Sequence, residues 1–215
     1  IDSTGLRLYT ASGWKRKKYT KSEERAKWRK VHVGINSNSL NVRCIEMTDS
    51  NVNDCEVGHQ LIDSLQGDVE AVAADKAYDT VKTYEALARK SARSLIPPKR
   101  NARLQGENRN IKNNPAMVPR DEAIKAIREL DDLDVGREQW KQSVGYHQRS
   151  RVENFMYRFK QAFGDSLYSK RDDTQLTEVM IKCHLINHWN KLGLPKSYKV
   201  LWYPLKLDDG ASRWL

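Results

Sequence analysis

Chemistry in this sequence gathers on three acidic residues and on the polar side chains beside the last of them. In residues 146–160, YHQRSRVENFMYRFK, the residues Tyr146, Arg149, Glu153 and Lys160 follow one another at spacings of three, four and seven. Measured from Glu153 on an ideal helix, Tyr146 falls near ~+20°, Arg149 near ~−40° and Lys160 near ~−20°. All four share one narrow stripe, with a carboxylate between two cations. Val152, Met156, Phe159 and Phe163 fall on a neighbouring stripe, at about −60° to −120°. One edge of the helix therefore seats in a core while the next edge presents the polar set. Gly145 stands just upstream, so the helix can also begin after Tyr146, which then reaches the stripe from a loop. Taken alone, the pattern is as consistent with a solvated ion-pair helix as with a site.

The other two acids need elements to bring them there. Asp75 follows the apolar run Val69-Glu70-Ala71-Val72-Ala73-Ala74, which reads as a buried strand of the parallel kind. In open α/β sheets ligands collect at the carboxyl ends of strands. This places Asp75 for function, and Asp79 to cap a following helix that carries Val81, Tyr84 and Leu87. Asp2, in Ile-Asp-Ser-Thr, reads as the end of a strand turning into a loop, or as an ordinary turn residue at a frayed terminus. Between the two, residues 31–35 and 40–47 alternate around the turn Asn36-Ser37-Asn38-Ser39, which predicts an antiparallel hairpin. Asp54 then caps a helix with Val57, Leu61 and Leu65 on one face, ended by Gly67. Ser94-Leu95-Ile96 reads as a last short strand, stopped by Pro97-Pro98. Residues 99–120 form a basic loop, 121–130 and 136–143 are helical, and a final helix opens at Asp172-Asp173-Thr174 and ends near Gly193. In this order Asp2 and Asp75 lie on neighbouring strands, and Glu153 approaches from a helix packed on the same sheet. Three converging carboxylates suit Mg²⁺, a hard cation held by a few carboxylates, water and substrate phosphate. Two such ions roughly 3.5–4 Å apart can drive an in-line displacement at phosphorus.

The bulk properties fit a polyanionic partner. The chain has 215 residues, 38 Lys and Arg against 28 Asp and Glu, and a formal net charge of +10. Mean hydropathy is −0.78, and no apolar run approaches a membrane span. Residues 14–30 place Lys15, Arg16, Lys17, Lys18 and Lys30 among Trp14, Tyr19 and Trp28, so that cations can meet phosphates while rings lie against sugars or bases. Lys99 and Arg100, with Arg103 and Arg109, are phosphate-contact candidates in the basic loop. Cys44, Cys55 and Cys183 form neither a CxxC pair nor a disulfide framework and read as reduced cytosolic thiols. His184 and His188 lack the Glu and third ligand of a zinc motif. The chain opens at Ile1 without a Met, which reads as a fragment or a processed product.

Ile-Asp2-Ser-Thr, Ala-Asp75-Lys-Ala-Tyr-Asp and the Tyr-x2-Arg-x3-Glu-x6-Lys pattern at Tyr146, Arg149, Glu153 and Lys160, taken in order, resemble an insertion-sequence transposase of the DDE type. The resemblance spans roughly residues 1–192. It implies an α/β fold: a ribonuclease-H-like mixed β-sheet flanked by helices, with a helical and loop insertion before the last core helices. The corresponding divisions are 1–98 for the first part of the core and 99–145 for the insertion. Residues 146–192 then supply the C-terminal core helices with Glu153, and 193–215 a peripheral tail. It further implies that Asp2, Asp75 and Glu153 hold two Mg²⁺ ions, for which Mn²⁺ can substitute, and that Tyr146, Arg149 and Lys160 position DNA. The implied reaction is metal-dependent strand cleavage at transposon ends, then attack of the 3′-hydroxyl on target DNA, by a homodimer in the bacterial cytoplasm. Against the family pattern, the N-terminal region that reads element ends is missing and the first strand is cut just before Asp2. The alternatives are therefore an inactive DNA-binding remnant and a basic nucleic-acid-binding module whose acids are structural.

Overall fold

A computed structural model describes residues 1–8, 28–107 and 113–193. Its centre is a four-stranded mixed sheet in the order β3-β2-β1-β6, formed by β1 (Asp2–Leu8), β2 (Trp28–Ile35), β3 (Val42–Asp49) and β6 (Ser166–Leu167). The predicted hairpin is present: β2 and β3 pair antiparallel through Val33↔Ile45 and Val31↔Met47. Asn36 closes its turn by accepting the Asn38 and Ser39 backbone N–H groups, each at 2.9 Å.

Alternation sorts the sheet's two faces. Leu6 and Leu8 of β1, Val31 and Val33 of β2, and Ile45 and Met47 of β3 share one core with Val152, Phe155, Met156 and Phe159. Those aromatic and aliphatic residues lie on α5 (Ser150–Phe163), and Val179, Cys183 and Ile186 of α6 (Asp172–Leu192) join the same core. Full burial of side chains such as Phe155 and Phe159 stabilises by roughly 1.5–3 kcal/mol each, which fixes α5 against the sheet. Asp2 is four residues from Leu6, so it points to the α5 side. On the opposite face Cys44 packs with Val57 and Leu61 of α1 (Asp54–Ser64) and with Leu65 just after it.

Three local expectations are corrected. Asp2 begins β1 rather than ending a strand: the chain continues extended to Leu8 because β2 pairs along it, from Asp2↔Val33 to Arg7↔Trp28. Asn53, not Asp54, caps α1 in a reciprocal box with Glu56, and the helix stops at Ser64, short of Gly67. Thr80, not Asp79, caps α2 (Val81–Arg89) by accepting the Thr83 N–H.

Asp75 follows β4 (Ala71–Ala73), which is parallel in kind as predicted but pairs with β5 (Arg93–Leu95). These two strands form a separate two-stranded sheet, so β1 and β4 are not partners in one ladder. The Ile1 ammonium donates to the Ala73 carbonyl at 2.7 Å, and this bond is where the two sheets meet. Farther along, the same edge of β1 is taken by β6, through Arg7↔Ser166 and Leu8↔Leu167. The strand at Ser94–Leu95 is therefore not the last one.

Residues 99–120 are not one loop. Short 3₁₀ turns occupy Gln105–Glu107 and Pro115–Met117, and α3 (Val118–Arg128) already begins before Asp121. It packs on α4 (Leu133–Ser143) through Ala123, Ile127 and Trp140. Gly136 permits that approach, since a Cβ there would stand 2.2 Å from the Ile127 carbonyl oxygen.

Candidate active site

Residues 146–160 are helical in two pieces. Gly145 takes a left-handed φ of +73°, a 3₁₀ turn spans Tyr146–Arg149, and α5 starts at Ser150. The buried edge is the one the spacing predicts, with Val152, Met156 and Phe159 in the core and Phe155 joining them. Tyr146 reaches the polar edge from the tighter turn, and Lys141 lies 5.9 Å from its ring centroid.

Arg149 is the hub. One guanidinium nitrogen donates to Glu153 Oε1 at 2.6 Å, and the other donates to Asp2 Oδ2 at 3.2 Å. Residues 151 positions apart in the chain are thus joined through one side chain. Burial works against the Arg149 charge, yet Asp2, Tyr146 and Glu153 together hold the guanidinium more firmly protonated than usual. Asp2 is fixed a second time, because its Oδ1 accepts the Ser3 N–H at 2.9 Å. Burial raises its carboxyl above the usual carboxylate range and neighbouring Asp75 adds to the rise, against the pull of the Ser3 N–H, Arg149 and the chain's amino terminus.

Asp75 stands where β4 gives way to the 3₁₀ turn Lys76–Tyr78, and its Oδ1 accepts the Ala77 N–H at 2.7 Å. Tyr78 anchors that turn: it is buried against α1 at Gly58, where a Cβ would come within 2.5 Å of the ring. Tyr146 is the common neighbour of the acids. Burial raises its phenol pKa, and Asp75, Asp2 and Glu153 raise it further against Arg149. Beside this cluster a cavity of about 330 Å³ runs between the two sheets, lined by Ile1, Gly34, Ala71, Ala73, Gln148 and Arg149 among others.

The remaining candidates are placed less uniformly. Lys160 lies about two turns beyond Glu153 on α5, and among the described residues its ammonium has no carboxylate partner. Lys99 and Arg100 are exposed after β5, with Arg100 paired to Asp134 at 3.0 Å. Trp28 lies over Gly5 with 41% of its surface exposed. Lys30 is engaged inside the fold, 2.7 Å from the Val52 carbonyl and 3.2 Å from Asp54. Its neighbour Arg29 likewise bonds Asp49, Asp172 and Gln175. Lys15, Arg16, Lys17, Lys18 and Arg109 lie outside the described residues, as does the expected tail from 194 onward. His184 and His188 are both exposed on α6.

One pairing escaped the sequence reading. Asp79 is buried and receives Arg120 Nε at 2.7 Å and the Lys99 N–H at 2.9 Å. The Ala-Asp-Lys-Ala-Tyr-Asp motif thereby grips both the basic segment and α3. The only signal was a second Asp in the motif, and a helix cap is the commoner use of such a residue.

The chain is a mixed α/β domain in which Arg149 joins an aspartate of β1 to a glutamate of α5. The family model described as transposase DDE domain matches residues 1–188, and the chain belongs to that family. Its members act on DNA and generally use divalent metal ions. No solved structure matches the chain. The donor set fits such an ion in kind, being three carboxylates. In position it is not yet assembled. Among the described residues no three Asp, Glu, His or Cys side chains stand close enough together to share an ion, and Arg149 lies between Asp2 and Glu153.

Proposed function

We propose that this chain carries the catalytic centre of a DNA transposase on a ribonuclease-H-like core. In this reading it cleaves strands at transposon ends and joins the freed 3′-hydroxyl to target DNA. The observation that carries the reading is the Arg149 bridge between Asp2 and Glu153, with Asp75 within electrostatic reach of Asp2. Two acids 151 positions apart meet at Arg149 although burial disfavours the Asp2 charge, an arrangement that fold stability alone does not call for.

Asp2, Asp75 and Glu153 would hold two Mg²⁺ ions, or Mn²⁺ in their place. When bound, such ions supply an activated attacking oxygen and a stabilised leaving oxygen at phosphorus. The chain's own residues do the rest. Arg149 offers two parallel N–H groups, the geometry that suits a phosphate. Tyr146 presents a phenol kept protonated by burial, a hydrogen-bond donor to a backbone oxygen. Lys160 adds a cation along the same edge, and Lys99 and Arg100 extend the track beyond β5. A homodimer engaging paired ends within the bacterial cytoplasm completes the proposal.

The test uses the full-length protein on labelled transposon-end DNA. Asp75→Asn and Glu153→Gln are expected to abolish nicking while DNA affinity, measured without divalent metal, stays within about threefold, because these residues would bind metal rather than phosphate. Nicking that survives either substitution overturns the reading. Loss of DNA binding together with nicking assigns the acids to structure, and the chain to a basic binding module.

A further inference from the structure

We propose that Arg149 couples DNA binding to metal binding: without DNA its guanidinium stands in for the divalent ions, and a DNA phosphate draws it away. The inference rests on the catalytic reading above and goes beyond it, from what Arg149 contacts to what that contact prevents.

The geometry points there in three ways. First, Arg149 does not sit beside the acidic centre but inside it, donating to Asp2 at 3.2 Å and to Glu153 at 2.6 Å. A cation lodged between two carboxylates satisfies the charge that a divalent ion would satisfy, so the two compete for the same oxygens. Second, the bridge is only half committed. Arg149 and Asp2 have 20% of their side-chain surface exposed, whereas Glu153 has 53%, so the Glu153 arm lies open to solvent and to an incoming phosphate. Third, Arg149 Nε is buried without a hydrogen-bond partner among the described residues. The present pose therefore leaves one donor unsatisfied, and rotation toward a phosphate can recover that donor.

Arg149 also lies at the junction of the 3₁₀ turn and α5, and a 3₁₀ stretch, with its poorer hydrogen-bond geometry, often marks a hinge. Its withdrawal would free Asp2 Oδ2 and Glu153 Oε1 together. The device makes metal loading conditional on DNA, and keeps an enzyme that cuts DNA disarmed until its substrate arrives. Linkage requires the reverse as well: metal must tighten DNA binding by the same factor.

The experiment measures Mn²⁺ binding to the full-length protein by calorimetry and by the loss of the free Mn²⁺ paramagnetic resonance signal, with and without a short uncleavable duplex. The wild-type protein is expected to bind Mn²⁺ at least about tenfold more tightly with duplex than without it, a coupling of ordinary allosteric size. Arg149→Gln is expected to bind Mn²⁺ tightly without DNA and to gain little when duplex is added. Should Arg149→Gln fail to fold, Arg149→Lys keeps the charge without the two-pronged bridge and is expected to fall between the two. Wild-type protein that binds Mn²⁺ equally well with and without duplex, with loss on Glu153→Gln, overturns the coupling and leaves the catalytic reading standing. Mn²⁺ binding indifferent to Glu153→Gln and Asp75→Asn under both conditions overturns both.

Discussion

His32 shows how a single side chain ties the fold to pH. It is fully buried in β2, with Nε2 2.9 Å from the Thr48 hydroxyl and Nδ1 3.7 Å from Asp54. Burial pulls its pKa from the usual histidine value down to about 4, with Asp54 opposing and Lys30 assisting. In the unfolded chain the imidazole takes its proton near pH ~6.5. Folded protein resists that protonation, so stability is full above pH ~6.5 and is lost progressively as pH falls toward the folded value. The complete loss is roughly 3 kcal/mol. Urea unfolding between pH 7 and 4.5 should show this decline in the wild-type protein and a shallower one in His32→Gln, which can still meet Thr48. An equal slope in both proteins would remove His32 as the cause.

At the scale of elements, the buried Asp79–Arg120 pair fastens α3 and the segment after β5 to the turn that presents Asp75. Arg120 also reaches the Arg103 carbonyl at 2.8 Å, so one guanidinium spans both pieces. Breaking a buried pair leaves an uncompensated charge, whereas replacing both members can be nearly neutral. Asp79→Asn should therefore lower unfolding free energy by about 3 kcal/mol, and Asp79→Asn with Arg120→Met by clearly less. Additive losses in the double-mutant cycle would show that the two residues act separately. Caps at this scale were legible only in type. Both helices beside the site do start on a short polar residue, but at Asn53 and Thr80 rather than at the neighbouring aspartates. Adjacent polar residues compete for the cap, and tertiary pairing decides the loser: Asp54 turns to Lys30, and Asp79 to Arg120.

For the whole molecule, the charge of +10 is the dominant fact, and it predicts strongly salt-dependent DNA affinity. The described cations are unequal, however. Lys30 and Arg29 are held by acids and carbonyls of the fold, while Lys160 and Lys99 are not paired among the described residues. Lys160→Ala should weaken binding to unrelated DNA sequences uniformly and reduce the slope of log affinity against log salt by about 1. Lys30→Ala should leave that slope unchanged and lower stability. Equal slopes for wild-type protein and Lys160→Ala would take Lys160 out of the phosphate track.

The sequence by itself determined the local facts. Period two set the faces of β2 and β3, and period 3.6 set the buried edge of α5, because those repeats follow from backbone geometry and from water's exclusion of apolar surface. Residue types and order alone also carried the family. Only the tertiary structure decided which charges meet. Nothing in the spacing of residues 146–160 showed that Arg149 would turn to Asp2 as well as Glu153, or that Asp79 would be buried with Arg120. Nor could alternation show that β1 would run on from Asp2 and share its edge between Ala73 and β6, leaving β4 and β5 in a separate sheet. Ion pairs and strand edges are chosen among several partners of nearly equal local merit, and the choice falls to whatever packing brings within reach.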